Sequence, residues 1–440
     1  MRVEYFHSVR LERDKCKGCT NCIKRCPTEA IRVREGKARI MEERCIDCGE
    51  CIRICPNHAK VAVGDGLERL REFSYTVALP APSFYSQFSV PGGISQILGA
   101  LLGVGFHGVF EVALAAEVIT WATRRFLQEY RGPRPLISAA CPAVVSLIQV
   151  RFPALIDQLS PVEPPVNVAA RLAREEAVKT TGLPAEDIGI FFLSPCPAKI
   201  TALRQAAAQG ERLVDGVIPL VDVFGPCREA LKGAGKVPPR SGQAGAGWGR
   251  SGGENAALGE GRLLEVDGIH HVIGVLEAVE KGELEQFDYL ELQACPGGCV
   301  GGALMVRNPF EARQELAFLT RDLPVHPLDE GELEALAARG GWQSRLRPRP
   351  RAALRLDEDI ASALVKMQQL EETARLLPGL DCGACGSPNC RALAEDIVRG
   401  QAVDTDCIFL LRERVRVLAE EVVELARKLP PSMAEPERSC

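Results

Sequence analysis

The first 64 residues carry a duplicated cysteine pattern. Cys16, Cys19, Cys22 and Cys26-Pro27 recur as Cys45, Cys48, Cys51 and Cys55-Pro56, each reading C-x2-C-x2-C-x3-C-P. Three thiolates at that spacing wrap one cuboidal iron–sulfur cluster, and the fourth reaches across to the cluster of the other copy. The pattern therefore predicts one [4Fe-4S] cluster on Cys16, Cys19, Cys22 and Cys55 and a second on Cys45, Cys48, Cys51 and Cys26. Tetrahedral zinc, the other home for clustered thiols, accounts poorly for eight cysteines interleaved in this order.

The segment resembles a bacterial two-cluster ferredoxin, which implies an electron-transfer domain over residues 1–64. The 18 cysteines of the 440-residue chain fall mostly into such tight groups, a usage that fits metal ligation in a reducing compartment better than a disulfide framework. With 53 basic against 58 acidic residues, the net charge of −5 gives no reason to expect nucleic acid or an anionic membrane as partner. The most apolar stretch, Ile94–Thr120, is broken by His107, Glu111 and Glu117, so no membrane span is expected. The opening residues lack the apolar run of an export signal, and a cytoplasmic location is expected.

From about Phe73 to Arg321, short apolar runs alternate with amphipathic segments, the signature of an α/β domain. Three strand-like runs end alike. Arg134–Ser138 leads into Ala140-Cys141-Pro142, Ile188–Leu193 into Ser194-Pro195-Cys196-Pro197, and Tyr289–Gln293 into Ala294-Cys295-Pro296. Ligands of open α/β sheets gather beyond the carboxyl ends of the strands, so Cys141, Cys196, Cys295 and Cys299 are expected to meet in one cleft. The glycines of ELQACPGGCVGG, 291–302, let the backbone approach a bulky thiolate-bound group.

Across most of residues 1–330 the chain is similar to the [FeFe]-hydrogenases, on the strength of SAACP (138–142), SPCPAK (194–199) and ELQACPGGCVGG (291–302). The resemblance implies a two-lobed domain over 72–330. In it Cys141, Cys196, Cys295 and Cys299 hold a [4Fe-4S] cube, and Cys299 also bridges to a two-iron unit carrying CO, CN and a dithiolate. It further implies that Lys199 hydrogen-bonds a cyanide, and that Gly249–Glu254 in the glycine-rich stretch 236–261 touches the cluster cleft. The departures are informative. Family members place a proton-relaying cysteine where Ala140 stands, and relay glutamates where Ala122, Thr123 and Phe126 stand. Ser194 and Gln293 replace methionines, and Ala202 lies near where a glutamate closes the second signature. Cys227 reads as a buried apolar thiol.

Residues 331–356 read as a linker, Pro- and Arg-rich and solvated in its second half. Residues 357–407 contain a helix and then Cys382-x2-Cys385-x4-Cys390-x16-Cys407, resembling the small Fe–S domain found in corrinoid iron–sulfur proteins and electron-transport subunits. A further [4Fe-4S] cluster is implied, for four in all, zinc being the alternative. Residues 408–429 show an a/d seam of Ile408, Leu411, Val415, Leu418, Val422, Leu425 and Leu429, suited to packing or to docking a signalling or electron-transfer partner, and 430–440 read as a disordered tail.

The expected fold is thus multidomain α/β: an N-terminal two-cluster ferredoxin-like domain, a two-lobed hydrogenase-like α/β domain, and a small helical Fe–S domain with a C-terminal helix. The expected function is reversible oxidation of H2 to protons and electrons, performed or sensed at low rate, with a ferredoxin-type donor or acceptor. Residues Lys199 and Cys299 are the expected catalytic pair. The competing expectation is a hydrogenase-derived electron carrier or cluster-assembly protein that lacks the two-iron unit.

Overall fold

The computed structural model describes residues 6–325, 327–345 and 347–428; Leu429 and the Pro430–Cys440 tail lie outside them. The described residues form two compact units, 6–15 with 42–354, and 16–41 with 355–428. The architecture is mixed α/β with a helical C-terminal region, as the alternation of apolar runs predicts.

The first unit is built on two parallel sheets. One orders Gly108–Val109, Tyr75–Pro80, Ile188–Ser194 and Gly216–Pro219. Every residue of Ile188–Ser194 is buried, which explains its unbroken apolar run: a strand covered on both faces has no solvent side to make polar. Ile188, Ile190 and Phe192 face a core shared with the helices Val112–Glu129 and Pro165–Thr181, whereas Phe191 and Leu193 face one shared with Gly93–Val104 and Leu220–Ala230. The other sheet orders Leu263–Asp267, Tyr289–Gln293 and Leu136–Ile137, and packs Ile137, Leu290 and Leu292 against the helices Pro142–Arg151 and Ile269–Glu280. Cys227 is buried in the second of these cores, and burial pushes its thiol up to about 12.

The Pro- and Arg-rich stretch is not a free tether. It runs hydrogen-bonded along the first unit, Trp342 accepting from the Glu163 amide at 2.7 Å, Ser344 donating to Pro161 at 2.7 Å and Arg351 to Gln149 at 2.9 Å. Backbone groups that would otherwise need water find fixed partners there.

The second unit joins the two ends of the chain. Strands Ile31–Arg34 and Lys37–Ile40 pair antiparallel around Glu35 and Gly36, both at positive φ, the pair of conformations that a two-residue hairpin turn demands. On this hairpin sits the C-terminal segment, with the helices Ile360–Leu376 and Cys390–Val398, N-capped by Asp359 and Asn389. The Val33 amide donates to the Gly386 carbonyl at 2.8 Å. A β-carbon at Gly386 would overlap the Val33 oxygen, and its φ is +80°, so only glycine allows this approach. Beneath the contact, one carboxylate oxygen of the buried Asp396 accepts from Arg32 Nε at 2.6 Å, Arg34 Nη2 at 2.8 Å and Ser387 Oγ at 2.8 Å. Among the described residues, no helix is long and apolar enough to cross a membrane.

Candidate iron–sulfur and hydrogen-handling site

In the first unit the strand ends deliver the cysteines. Ser194 closes the long strand of the four-stranded sheet two residues before Cys196, and Gln293 and Ile137 close strands of the three-stranded sheet before Cys295 and Cys141. Cys141 and Cys196 each sit at the N-cap of the following helix, with proline at the first helical position. The 291–302 loop turns back on itself through Gly297 and Gly298, both at positive φ, to present Cys299. A β-carbon at Gly298 would overlap both Gln293 Oε1 and the Ser251 amide.

These elements bring Cys141, Cys196, Cys295, Cys299 and Lys199 within electrostatic reach of one another. Burial raises the thiols of Cys196 and Cys295 and lifts that of Cys299 to about 11, and in each the neighbouring thiols raise it further. Lys199 opposes this in Cys196 and Cys299, and Arg53 in Cys295. Burial alone would lower the Lys199 ammonium, but the four surrounding thiolates together raise it. Four thiols crowded in a poorly solvated place gain most by exchanging their protons, released to solvent, for a multivalent cation.

Cys141, Cys299 and Lys199 line a cavity that, with the solvent space at its mouth, spans about 620 Å³ and is walled largely by apolar groups including Ala81, Val112, Phe192, Trp248 and Leu292. Its polar lining is sparse. Lys199 Nζ donates to the Ala140 carbonyl at 3.1 Å, which leaves two of its three N–H groups for other acceptors. Ser83 Oγ and Gln293 Oε1 are buried at the wall without a hydrogen-bond partner. The unpaired Ser83 hydroxyl and the remaining N–H groups of the half-buried Lys199 are donors that a polar, anionic occupant would satisfy, so the residues fit both a thiolate-held cube and an anionic two-iron unit beside it.

Glu254 is the carboxyl in this wall. It is buried, accepts from Tyr289 Oη at 2.6 Å and from Ser138 Oγ at 2.9 Å, and burial pushes its pKa up. Behind it Glu291, also buried and raised, accepts from the amides of Gly252 at 3.0 Å and Asn255 at 2.9 Å and from Gln293 Nε2 at 2.7 Å. Ala140 itself offers no titratable side chain, and Ala122 and Thr123 are packed in the helix Val112–Glu129, where Thr123 Oγ1 donates to its own helix at 2.8 Å. Ser194 Oγ turns away to the Cys196 carbonyl at 2.9 Å, and Ala202 lies in the helix Pro197–Ala208.

The second cysteine motif abuts this site. Arg53, between Cys51 and Cys55, donates to the Gly301 carbonyl at 2.7 Å and hydrogen-bonds Cys295, and a β-carbon on Gly49 would strike Ala303 at 2.5 Å. Cys48 packs in the same core as Ile137 and Ala294. Its companions Cys45, Cys51 and Cys55 belong to this unit, while Cys16, Cys19, Cys22 and Cys26 belong to the other. There, Cys16 Sγ accepts from the Ala38 amide at 3.4 Å and Cys26 Sγ from Ala30 at 3.3 Å. In the C-terminal segment Cys385 and Cys390 pack against buried Cys407, Cys382 acts electrostatically on Cys385, and Gly383 and Gly386 at positive φ shape the loop between them. Four thiols thus converge here too.

Sequence reasoning found the cysteines and Lys199 because spacing marks them. Ser83 and Trp248 carry no such mark; they reach the cavity only through the fold.

Comparison with known proteins agrees with this geometry. The model of the iron-only hydrogenase large subunit, C-terminal domain, matches residues 74–232 and 248–303, a 4Fe-4S dicluster domain matches 8–56, and an Fe-S cluster family matches 377–409. The NADP-reducing hydrogenase subunit HndD of Solidesulfovibrio fructosivorans is 23% identical over 65% of this chain and 55% of its own length. The periplasmic [Fe] hydrogenase large subunit of Nitratidesulfovibrio vulgaris is 26% identical over 48% of this chain and 56% of its own. The chain therefore spans little more than half the length of these curated relatives. Among solved structures, a single-residue variant of the [FeFe]-hydrogenase HydA1 from Chlamydomonas reinhardtii superposes with a TM-score of 0.51 at 15% identity, covering 64% of this chain and 98% of that one. By its cysteine signatures, its fold and these matches, the chain is a hydrogenase-like iron–sulfur protein, with the iron-only hydrogenase match lying within residues 74–303 and an iron–sulfur match on either side of it.

Proposed function

We propose that this protein interconverts H2 with protons and electrons at low rate, and that it serves to register hydrogen rather than to process it in bulk. Cys141, Cys196, Cys295 and Cys299 would hold a [4Fe-4S] cube, and Cys299 with the cavity beside it would also hold a two-iron unit with CO, CN and dithiolate ligands. That group, when bound, supplies the site at which H2 is split or formed. The protein's own residues do the rest. Lys199 offers its remaining N–H donors to an anionic ligand, and Ser83 Oγ stands ready to pair with another. The apolar lining excludes water.

The observation that carries the reading is a cavity lined by Cys141, Cys299 and the half-buried Lys199, whose wall bears an alanine, Ala140, where the resemblance places a proton-relaying cysteine. With that path gone, the buried carboxyl of Glu254 is the cavity group placed to take and hold a proton, backed by Glu291. A lone carboxyl behind Ser138 and Tyr289 supports exchange slower than a dedicated relay, by roughly 10²- to 10⁴-fold if general acid–base assistance is the part lost. Electrons would pass between the cube and the second cysteine motif past Arg53, and from there to a ferredoxin-type partner in the cytoplasm.

Infrared spectroscopy of protein matured with the two-iron unit tests the proposal. CO and CN stretching bands that vanish in Lys199→Met are expected. Absence of bands in the matured wild type would favour the electron carrier or assembly factor instead, and turnover equal to that of fast hydrogenases would refute the slow, registering role.

A further inference from the structure

The C-terminal helix Ile408–Arg427 has 20 residues, about 30 Å of helix, and is exposed along its whole length from Leu411 onward. Its polar side carries its own ion pairs: Arg416 pairs with Glu413 and with Glu420, each at 2.6 Å, and Lys428 with Glu424 at 2.8 Å. On its apolar side Ile408, Leu411, Val415, Leu418, Val422 and Leu425 form one seam, and each remains 45–68% exposed. Most of the stability of a protein helix comes from packing its amphipathic face, so a seam of this kind needs a cover.

The residue types along the seam specify the cover. Written as heptads, the a positions are Ile408, Val415 and Val422, all β-branched, and the d positions are Leu411, Leu418 and Leu425. That partition matters only where a meets a and d meets d, as in a parallel pair, and there it selects two strands over three or four. The flanks agree. In parallel register Arg414 would face Ala419 of the second copy and Glu421 would face Ala426, so no like charges meet, and the small e residues let the long g side chains lie over the seam.

We infer that the seam is covered by a second copy of this chain, the two C-terminal helices winding as a parallel, two-stranded coiled coil from Ile408 to Leu425. Cys407, the N-cap of each helix and the last cysteine of the C-terminal motif, then lies beside its twin near the two-fold axis, at helix axes about 8–10 Å apart.

Light scattering on the full-length, iron-loaded protein across a concentration series tests this. A mass of two 47.7-kDa chains is expected. The exposed-seam variant Val415→Lys with Leu418→Lys is expected to give one chain's mass with the iron–sulfur absorbance unchanged, which shows that the rest of the fold is intact. For orientation, Leu411→Cys oxidised in the holoprotein should link to itself across the axis, as identified by peptide mass spectrometry. A monomeric wild type, a trimer, a dimer indifferent to the lysine pair, or preferential linkage of Leu411→Cys to Leu425→Cys over itself would each overturn the inference.

Discussion

Replacing Asp396 by alanine should loosen the second unit locally, and the structure sets the size of the effect. One Asp396 oxygen takes hydrogen bonds from Arg32, Arg34 and Ser387, and the Arg32 and Asp396 side chains are 7% and 3% exposed. Removing the carboxylate leaves the Arg32 guanidinium buried and uncompensated, a change that costs roughly 3–5 kcal/mol when the abandoned charge is well buried. Arg34, at 21% exposure, recovers part of its loss from water, so the lower end applies. About 3 kcal/mol corresponds to a hundredfold rise in local opening. Hydrogen–deuterium exchange of the peptide covering Ile31–Ile40 reads it, because the Val33 amide is tied to Gly386 across this contact. Asp396→Asn, which keeps an oxygen acceptor, should give a smaller acceleration. Exchange in Asp396→Ala indistinguishable from wild type would show that the hairpin is held by something other than this ionic anchor.

Three further outcomes follow from the first unit. Glu254→Gln should lower H2 turnover of the matured protein by roughly 10²- to 10⁴-fold while leaving the CO and CN bands in place, since the amide keeps the shape but cannot carry the proton. Gly298→Ala should cut bound iron by about four atoms per chain, as its β-carbon collides with Gln293 and Ser251 at φ +93° and displaces Cys299; iron analysis checks it. Burial lifts the Glu117 carboxyl to about 7, against the pull of the Gly242 and Gly245 amides. Because the folded state then holds the proton more tightly than the unfolded one, this group's contribution is full below about pH 4.5 and is lost as pH rises to about 7, by ~2–3 kcal/mol. Glu117→Gln should therefore slow exchange of the Gly242–Ala246 segment at pH 8 and change it little at pH 5.

Much of this was written in the cysteines. Covalent spacing is local, so C-x2-C-x2-C and the three Cys-Pro strand endings announce their chemistry without knowledge of the fold, and the all-apolar run Ile188–Leu193 announces a strand buried on both faces. The cavity wall was less legible. Ser83 and Trp248 are ordinary residues that no motif marks, whereas Glu254, which the resemblance places at the cleft, acquires its burial from a glycine-rich segment that lacks periodicity. Least legible was the union of residues 16–41 with the C-terminal segment. Arg32, Arg34 and Asp396 each read as surface charges until the chain brings them together across 364 and 362 positions.

That union sets a clock on biosynthesis. Ribosomes add about 5–20 residues per second, so the hairpin bearing Arg32 emerges roughly 20–70 s before Asp396 exists to receive it. For that interval the first cysteine motif is a set of nascent thiols whose supporting unit is unfinished. A cluster held by Cys16, Cys19 and Cys22, as their spacing predicts, would find its surroundings complete only with the finished polypeptide, and a chain truncated before Asp396 should emerge with its earliest-made motif the hardest to keep metallated.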